Sequence, residues 1–305
     1  MSKRFLVVGA GFFGAVCARL LADAGHRVLV IEKRDHLGGN AYTRPVPDCG
    51  GYEHVYGPHI FHCNSKEIWD FVSRFTEWVP YIHRPKARYQ GRVYSLPINL
   101  MTLHQVFGVT TPEEGRAVIE EERIPRVNPS NLEDWCLSQI GPTLYERLIR
   151  GYTLKQWQKD PRELPSSIIR RLPVRMTYDE NYFSDRFQGI PSDGYTPIFE
   201  RLLRGIPVEM ETDFLSDRDD WIKRFDHTIF TGSLDDFFGY SSGTLEYRSM
   251  RLESQVVEVE DYQGVAQMNE TDEAVPFTRT VEHKHFTFDY GIPRTLITRE
   301  FSESW

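Results

Sequence analysis

The amino-acid sequence predicts an α/β protein in three parts: a parallel-sheet domain, an inserted helical lobe and an antiparallel β-sheet domain. Three observations lead to this prediction: an apolar strand with a glycine turn at the start of the chain, helical patterns in its middle, and alternating strand patterns towards its end. We expect the first domain to combine residues 1–63 with 187–244, and the helical lobe to span 64–150. The sheet domain then combines residues 151–186 with 245–305.

The first strand and its turn predict a dinucleotide-binding site. Four apolar residues, Phe5–Val8, are typical of a strand buried on both faces. Gly9, Gly11 and Gly14 follow with G-x-G-x-x-G spacing, which permits a tight turn, close approach of a pyrophosphate, and packing of the next helix on the strand. Glu32, 23 residues after Gly9, is placed to accept hydrogen bonds from ribose hydroxyls. The first domain is therefore predicted to be Rossmann-like.

The residues between the glycine turn and Glu32 support this interpretation. Ala15–Ala24 has a helical pattern that Gly25 ends, and Arg27–Glu32 has the pattern of a second buried strand. Strand, turn, helix and strand in this order are the start of a dinucleotide-binding unit. The alternative is a glycine turn in another kind of βαβ unit.

The segment after Glu32 indicates which dinucleotide is bound. Residues 33–40 read KRDHLGGN, with a second glycine pair where a plain NAD-binding domain begins its next helix. This resembles the FAD-binding class of flavoproteins with two dinucleotide domains, in which the loop runs along the cofactor. In addition to the glycine turn and Glu32, the resemblance implies that FAD contacts Phe13, Lys33, Gly38, Gly39 and Asn40.

Composition and charge exclude several classes of protein. The 305 residues are 40% hydrophobic and 26% charged, values typical of globular proteins. The formal net charge of -8 argues against broad affinity for nucleic acid. No run resembles a membrane span or a secretory leader, so we expect a cytoplasmic protein without membrane contacts. The four cysteines lack C-x-x-C or metal-ligand spacing, and we expect reduced thiols and no metal site.

A loop rich in Gly, Tyr and His occupies Asp48–Cys63. It is too apolar and too rich in rings to be a plain solvated linker. His59 and His62 lie three residues apart, so they are candidates to face one ligand. The alternative is a pair of buried, hydrogen-bonded histidines.

Periodic patterns predict further helices and strands. A helix is expected from Asn64 to Phe75, with Glu67 completing a capping box and apolar residues on one face. Further helices are predicted at residues 112–122, 131–140 after a Ser130 cap, 142–149 and 195–204. Strands are predicted at residues 87–96 around a Gln90-Gly91 turn, 207–211, 227–232, 245–261 and 264–269.

Several blocks of the sequence together resemble bacterial UDP-galactopyranose mutase. They are GYTLKQW at residues 151–157, RRLPVR at 170–175, NYFSDRFQGIP at 181–191, LEYRS at 245–249 and PFTRTVEHKHF at 276–286. The blocks are collinear with the family and more specific than the glycine fingerprint. The resemblance implies a homodimeric flavoenzyme of cell wall biosynthesis that interconverts UDP-galactose, in its pyranose form, and UDP-galactofuranose.

The resemblance also implies how the sugar ring contracts without net redox change. In the family, N5 of the reduced flavin attacks the anomeric carbon as UDP leaves; the sugar opens on the flavin as an iminium, recloses and recaptures UDP. The protein has to stabilise the negative charge on the departing diphosphate, a task that suits bidentate guanidinium groups. The matching blocks assign it to Arg171 and Arg279, with Arg175 as second choice because strand alternation places Arg175 on the same face as Arg171. The alternative is ordinary surface or salt-bridge arginine.

Further positions match substrate contacts of the family. Tyr152 offers a stacking face to uridine, and Thr153 and Trp157 offer donors close by. For each aromatic residue taken alone, the alternative is core packing. The resemblance implies substrate contacts at Tyr152, Thr153, Trp157, Tyr182, His83 and Asn269, with Arg248 either in the site or supporting it.

The histidine loop matches a family loop that lies against the flavin. The resemblance implies that His59 and Ile60 contact the cofactor. It also implies that His62 lies nearest the reacting face, so we expect His62 to be a catalytic residue.

Two departures from the family pattern affect these expectations. The family block is usually KQWG, whereas Gln158 follows Trp157 here. The family continues beyond the position of Trp305 with residues that contact FAD and the diphosphate. We therefore expect the 305-residue chain to bind FAD weakly, to show little mutase activity and to leave a sheet edge uncovered after Phe301.

Two other functions compete with a mutase. A flavin-dependent oxidoreductase related to amine oxidases shares the FAD segment, but an amine site needs an apolar cage rather than arginines and tyrosines. An inactive shortened homologue or fragment keeps a nucleotide-sugar pocket without holding FAD. The yellow colour of the purified protein distinguishes this last alternative.

Overall fold

The computed structural model describes residues 2–125, 129–170 and 173–304. These residues form two compact units, and each unit gathers segments that are distant in sequence. The first comprises Met1–Pro47, Gly51–Pro80 and Phe187–Tyr247, and the second comprises Asp48–Gly50, Tyr81–Arg186 and Arg248–Trp305.

The observed boundaries differ from the predicted ones between residues 64 and 150. The start of the predicted helical lobe, up to Pro80, belongs to the first unit, and the remainder shares the second unit with the large sheet. The helices between residues 100 and 157 and the large sheet belong to one compact unit because they bury apolar side chains against each other. The assignment of FAD binding and substrate binding to separate domains stays a prediction.

The elements are as follows in chain order. The strands are β1 (Arg4–Val8), β2 (Arg27–Ile31), β3 (Thr43–Pro45), β4 (Tyr52–His54), β5 (Phe61–Cys63), β6 (Trp78–Val79), β7 (Lys86–Tyr89), β8 (Arg92–Ser95), β9 (Phe187–Pro191), β10 (Val208–Glu209), β11 (His227–Phe230), β12 (Arg248–Val257), β13 (Gln267–Glu270), β14 (Arg279–Glu282) and β15 (Thr295–Ser304). The helices are α1 (Phe12–Asp23), α2 (Lys66–Val72), α3 (Leu100–Phe107), α4 (Pro112–Glu122), α5 (Leu132–Leu144), α6 (Gly151–Trp157), α7 (Thr196–Leu202), α8 (Arg218–Arg224) and α9 (Leu234–Phe237).

The first unit is built on a parallel sheet with strand order β10-β2-β1-β11. Successive residues of β1 are buried on opposite faces: Val7 packs with α1 and α7, whereas Leu6 and Val8 pack with Phe214 and Trp221. This explains the unbroken apolar run of the first strand. The Rossmann-like fold predicted from the sequence is confirmed.

A smaller three-stranded sheet, β5-β9-β6, holds the histidine loop in the same unit. His62 lies opposite Gln188 in the antiparallel pair of β5 and β9. The loop that precedes α7 is tied to β3, because Thr196 Oγ1 donates to the Thr43 carbonyl (2.6 Å) and Tyr195 N donates to Thr43 Oγ1 (2.8 Å). These contacts fix the segment that begins at β9 to the early part of the chain.

The second unit contains a six-stranded sheet with order β12-β15-β14-β13-β7-β8. Its strands pair antiparallel, except that β13 and β7 run parallel. The parallel pair arises because β7 and β13 come from parts of the chain about 180 residues apart rather than from a hairpin. β15 pairs along its full length with β12, and Glu300 on β15 lies opposite Arg279 on β14.

Helices α3 to α6 pack around the apolar core of the second unit. Leu100, Leu103, Ile140 and Leu144 are almost fully buried there. α5 is interrupted at Gly141 (φ 74°, ψ 173°), and a π-helical turn, Tyr145–Arg150, leads into α6. The boundary between the predicted helices at 131–140 and 142–149 therefore lies at a real break in the helix.

Several local predictions differ from the structure. α2 is capped by Ser65, whose side chain accepts from Ile68 N, rather than by Asn64. α5 is capped by Asn131 rather than by Ser130. Residues 151–157 are helical and not part of the sheet, and around position 175 the described residues form only an isolated bridge between Val174 and Ile98, so the expected strand alternation does not apply.

The end of α6 adopts an unusual backbone conformation. Gln158 lies in the left-handed region (φ 51°) and donates its backbone N–H to the Leu154 carbonyl (2.8 Å). Its side chain donates to the Ser302 carbonyl on β15, also at 2.8 Å. The family glycine at this position is therefore explained by backbone geometry.

Across residues 2–125, 129–170 and 173–304, no helix combines the length and hydrophobicity needed to cross a membrane.

Candidate functional site

The glycine turn brings backbone rather than side chains to the N-terminus of α1. Gly9 has φ 101°, and a Cβ there would clash with Thr231 Oγ1; a Cβ at Gly14 would clash with the Gly9 carbonyl. Gly11 is the N-cap of α1, and no side chain caps the helix. The first amides of a 12-residue helix are therefore directed at the turn, an arrangement that suits an anion.

Glu32 lies directly after β2 and is 7% exposed. One carboxylate oxygen accepts from Ala10 N (2.8 Å) and the other from Arg34 N (2.9 Å). The carboxylate thus fixes the glycine turn and the following loop, and each oxygen keeps a lone pair for a ribose hydroxyl.

The second glycine pair lies against the first turn. Gly38 (φ 96°) donates to the Ala10 carbonyl (3.0 Å), and a Cβ added at Gly11 would lie 3.7 Å from Gly39 Cα. A Cβ at Gly39 would lie 3.1 Å from Gly11 Cα and fill the space between the two turns, whereas a Cβ at Gly38 would meet the Phe199 ring at 3.0 Å. Asn40 Oδ1 accepts from Arg34 Nη2 (3.0 Å), which holds the end of this loop.

Arg34 is a candidate that sequence reasoning missed. Its guanidinium lies 4.4 Å from the Tyr56 ring centroid, and its Nη1 is buried without a hydrogen-bond partner in the described structure. A buried, unpaired guanidinium nitrogen beside two glycine turns indicates an anionic or oxygen-rich ligand. The basic pair after Glu32 was the available signal, but the sequence favoured Lys33. Lys33 instead pairs with Asp213 (2.8 Å) and is 70% exposed.

These features fit a dinucleotide cofactor. The uncapped start of α1 suits a pyrophosphate, and the carboxylate of Glu32 suits the hydroxyls of a ribose. The unpaired nitrogen of Arg34 suits a further oxygen of the ligand. Phe13, also predicted to contact the cofactor, is 67% exposed on the first turn of α1.

The histidine loop lies in the first unit as well. His59 Nδ1 is 2.9 Å from the Gly57 carbonyl, and its backbone N–H donates to His54 Nδ1 (3.2 Å). Ile60 is half-buried, and His62 is exposed on β5. His59 is therefore a hydrogen-bonded structural residue of the loop, whereas His62 presents its side chain at the surface of this unit.

In the second unit, the structure brings together several residues predicted for the substrate. Tyr152 on α6 lies beside Arg279 on β14, and the guanidinium opposes the rise that burial causes in the pKa of Tyr152. Arg279 is 23% exposed and lies 2.7 Å from the buried carboxylate of Glu300. Within the described residues, Arg279 Nε and both carboxylate oxygens of Glu300 make no hydrogen bond with suitable geometry. Electrostatic attraction to Glu300 therefore holds the guanidinium, and one edge of it remains accessible.

His83 and Tyr182 complete this group. Tyr182 N donates to the His83 carbonyl (2.8 Å), and the two rings are 5.6 Å apart. His83 is 3% exposed, with Nδ1 3.1 Å from the Tyr81 hydroxyl. Burial and the neighbouring Arg279 lower the pKa of His83 to about 4, so its ring is neutral at physiological pH.

Asn269 is brought to the same group through the sheet. It lies opposite Arg279 in the pairing of β13 and β14, and its Oδ1 accepts from Gln267 Nε2 (2.8 Å). The amide NH2 of Asn269 is thereby directed away from Gln267 and suits a carbonyl of a nucleobase. On α6, Thr153 is 5% exposed and Trp157 packs against the core, so both stabilise the helix that carries Tyr152.

The structure leaves the proposed roles of three further predicted arginines untested or unsupported. Arg171 falls outside the described residues. Arg175 is engaged by Asp179 (3.2 Å) and by the Asn181 carbonyl. Arg248 begins the edge strand β12 and pairs with Ser304, four residues along β15 from Glu300, or about 13 Å at strand spacing. The structure does not bring Arg248 to Arg279.

Glu300 and Lys155 are further residues of this region that sequence reasoning missed. Burial raises the pKa of Glu300, although Arg279 opposes this effect. Lys155 donates to the carbonyls of Glu270, Asp272 and Phe277. Neither role was visible in the sequence because each depends on contacts made by strands far along the chain.

Asp261, Glu282 and His285 form a cluster whose polar atoms lie within 4.8 Å of one another. His285 Nε2 is 3.3 Å from both carboxylates. The carboxylates also accept from the backbone amides of residues 262–264. These hydrogen bonds give the cluster a structural role, because they stabilise the turn at residues 262–264.

Two family models match this chain. One is described as UDP-galactopyranose mutase and matches residues 147–305. The other is described as an NAD(P)-binding Rossmann-like domain and matches residues 7–75.

Similar proteins extend over most of the chain. A protein of Klebsiella pneumoniae named as a probable UDP-galactopyranose mutase is 44% identical over 94% of this chain and 74% of its own length. A dTDP-fucopyranose mutase of Escherichia coli is 41% identical over 99% of this chain and 82% of its own length.

A crystal structure of reduced UDP-galactopyranose mutase has the same fold. It superposes with a TM-score of 0.73 over 99% of this chain and 75% of that one, at 16% identity. Resemblance to amine oxidases is distant by comparison.

Proposed function

This chain belongs to the UDP-galactopyranose mutase family, and we propose that it interconverts UDP-galactopyranose and UDP-galactofuranose with FAD as its cofactor. It is an isomerase, and flavin dependence is a property of the family. We propose in addition that the cofactor is reduced FAD and that the sugar is galactose.

The observation that carries the proposal is the convergence of residues around Arg279. Arg279, Tyr152, Tyr182 and His83 come from four distant segments of the sequence, yet all lie within one group in the second unit. A guanidinium with an accessible edge and two tyrosine hydroxyls suit the oxygens of a diphosphate. Asn269, on the neighbouring strand, suits the nucleobase.

The first unit supports a dinucleotide cofactor. The uncapped N-terminus of α1, the carboxylate of Glu32 and the unpaired nitrogen of Arg34 match a pyrophosphate and a ribose. The loop with Gly38 and Gly39 leaves room beside Gly11 for an extended ligand. Because this loop resembles that of FAD-binding proteins, we infer FAD rather than NAD.

Each residue of the substrate group has a separate role in the proposed reaction. When bound and reduced, the flavin supplies the nucleophile for the anomeric carbon. Arg279 balances the charge that builds on the diphosphate as the glycosidic bond breaks, because its guanidinium is permanently charged. Tyr152 lies beside Arg279, where its hydroxyl suits the same diphosphate, and the neutral ring of His83 adds no further positive charge.

A second substrate is supported by the similarity to the dTDP-fucopyranose mutase. That protein is about as similar to this chain as the probable UDP-galactopyranose mutase is. The diphosphate contacts proposed for Arg279 and Tyr182 suit both nucleotide sugars. We therefore propose dTDP-fucopyranose as the alternative substrate of the same reaction.

The test is direct measurement of flavin content and turnover. The purified chain is examined for flavin absorbance, reconstituted with FAD where necessary, and reduced with dithionite. Conversion of UDP-galactofuranose and of UDP-galactopyranose is then followed by chromatography, with dTDP-fucopyranose in parallel. We expect a low overall rate, as predicted from the sequence, with a higher kcat/KM for the UDP-sugars than for dTDP-fucopyranose. Faster conversion of dTDP-fucopyranose would favour the alternative, and a flavin-loaded protein that converts neither would contradict the proposal.

A homodimer, a cytoplasmic location and a part in cell wall biosynthesis stay predictions from the family resemblance. Size-exclusion chromatography with light scattering measures the oligomeric state, since a dimer has twice the mass of the 35.6 kDa chain.

A further inference from the structure

Lys155 occupies the centre of a junction between α6 and the chain segment that joins β13 to β14. Its Nζ lies 2.7 Å from the Glu270 carbonyl, 2.8 Å from that of Asp272 and 3.0 Å from that of Phe277. An ammonium group has three donors, so these carbonyls use all of them. Glu270 ends β13 and Phe277 lies two residues before Arg279, so one side chain holds both ends of the segment.

The junction is also tight at the backbone. A Cβ at Gly151, the first residue of α6, would clash with the Thr271 carbonyl and lie 2.9 Å from Glu273 N. Thr271 Oγ1 in turn donates to the Arg147 carbonyl (2.6 Å). The segment therefore has little freedom to shift along α6.

Residues that contact the proposed substrate lie on both sides of this junction. Tyr152 and Lys155 are three apart on α6, which places them on the same face of the helix. Tyr152 lies beside Arg279, and Asn269 lies opposite Arg279 on β13. The position of α6 relative to the two strands thus decides whether Tyr152 and Arg279 meet.

We propose that Lys155 is a positioning residue for nucleotide-sugar binding: its three hydrogen bonds to the segment 270–277 hold Tyr152 on α6 in register with Arg279 and Asn269. The inference rests on the proposed function, because it assumes that these three residues bind the substrate. Lys155 itself touches no substrate atom in this role. Its loss acts on affinity for the diphosphate through Arg279.

The protonation of Lys155 provides an independent readout. Burial, opposed by nearby carboxylates, lowers the pKa of Lys155 to about 8. A neutral amine has two donors and releases one of the three carbonyls, so substrate affinity decreases as the pH rises through this range. The charged groups that face the junction are Glu270, Asp272 and Glu273, with Arg88 paired to Glu270 and Arg150 paired to Glu273.

The experiment measures binding of UDP to the flavin-loaded protein by calorimetry. Lys155→Met keeps the length of the side chain and removes all three donors, and we expect UDP to bind about tenfold more weakly at pH 7. Arg150→Met is the matched control: it removes an exposed ion pair to the same segment but no hydrogen bond to its backbone, and we expect affinity within about twofold of the unmodified protein.

A pH series separates positioning from a general loss of stability. We expect UDP affinity of the unmodified protein to fall between about pH 7 and 9, and that of Lys155→Arg to change less, because a guanidinium stays protonated. The comparison of the unmodified protein with Lys155→Arg also tests the positioning role if Lys155→Met does not fold. Any titration of UDP itself affects both of these proteins equally.

The outcomes distinguish the inference from the proposed function. Equal UDP affinity of Lys155→Met and the unmodified protein overturns the inference alone, as do parallel pH profiles of the unmodified protein and Lys155→Arg. If the unmodified, flavin-loaded protein does not bind UDP, the proposed function fails and the inference fails with it.

Discussion

At the scale of single residues, the side chains around Arg279 are arranged to keep its charge available. Glu300 lies 2.7 Å away but without directed hydrogen bonds, and burial raises the pKa of that carboxyl group. Tyr152 also lies beside Arg279. A diphosphate that approaches the accessible edge of Arg279 therefore competes with a weakly directed partner.

Replacement of Arg279 by Lys tests the bidentate role of the guanidinium. The substitution keeps the positive charge and removes the planar fork, so we expect kcat/KM for the UDP-sugar to fall by about tenfold or more, with unchanged flavin content. Arg294→Lys, at an exposed ion pair with Glu258, is the control and should leave the rate unaltered. An Arg279→Lys protein with the kinetics of the unmodified chain would contradict the assignment.

His83 makes a specific prediction for the dependence of stability on pH. Its pKa is about 4 in the folded protein and near 6.5 in an unfolded chain, so the unfolded state binds a proton first as the pH falls. The stability contributed by the neutral, buried ring is complete above about pH 6.5 and is lost progressively towards pH 4, by about 3 kcal/mol at most.

We therefore expect His83→Gln to reduce the decrease in Tm between about pH 6.5 and 4, even if the variant is less stable at neutral pH. Calorimetric unfolding at several pH values measures this effect. His104→Gln, at an exposed histidine in α3, is the control. Identical slopes for His83→Gln and the unmodified protein would show that His83 does not carry the acid sensitivity.

At the scale of elements, the sequence predicts best where structure depends on local contacts. The β1 strand, the glycine turn and α1 follow from residues within one short segment, and α4 lies at the predicted residues 112–122 because Thr111 and Glu114 form its capping box. α3 was missed because its capping pair, Asn99 and Thr102, lacks the usual acidic partner.

Elements that depend on distant partners could not be predicted in the same way. β15 has little alternation in its sequence and is defined by pairing with β12 and β14. The sequence likewise identified Arg279, Tyr152, Tyr182, His83 and Asn269 by resemblance, but it could not show that they meet. Lys155 was overlooked because its partners are carbonyl groups, which have no signature in a sequence.

The glycine turn allows folding and cofactor binding to be separated. Gly11 has an ordinary backbone conformation, and a Cβ there meets nothing closer than 3.7 Å, so Gly11→Val should fold but fill the space in front of α1. We expect its flavin content to fall by about tenfold or more, with a Tm of the flavin-free protein close to that of the unmodified one.

Gly14→Ala is the comparison for this prediction. Its Cβ would clash with the Gly9 carbonyl, so this variant should lose stability as well as flavin. Flavin absorbance after reconstitution and thermal unfolding measure both properties. Full flavin occupancy in a folded Gly11→Val protein would contradict the assignment of the pyrophosphate site.

At the scale of the whole molecule, each compact unit depends on chain segments that are far apart in the sequence. Neither compact unit is a continuous segment. In the parallel sheet, β1 lies between β2, which follows it closely, and β11, more than 200 residues later. The first unit is therefore incomplete until residues near 230 have been synthesised.

A truncation tests this dependence. A fragment of residues 1–186 lacks β9, β10 and β11, so β1 keeps only β2 as a neighbour and β5 has no neighbouring strand. We expect no cooperative thermal transition and rapid proteolysis, in contrast to the full chain. Circular dichroism and limited trypsin digestion measure both, and a protease-resistant fragment with a sharp transition would contradict the expectation.

The left-handed residue at the end of α6 has a consequence for motion. The Gln158 side chain donates to the Ser302 carbonyl and Ser302 Oγ donates to the Gln156 carbonyl, so we expect fraying of the last turn of the helix to loosen the end of β15, which β12 still holds. The two chain ends of this contact therefore open together on the slow timescale at which backbone amides exchange their hydrogens. A glycine at position 158 would relax the backbone strain and leave, of these two hydrogen bonds between this end of the helix and the strand, only that from Ser302 Oγ to the Gln156 carbonyl.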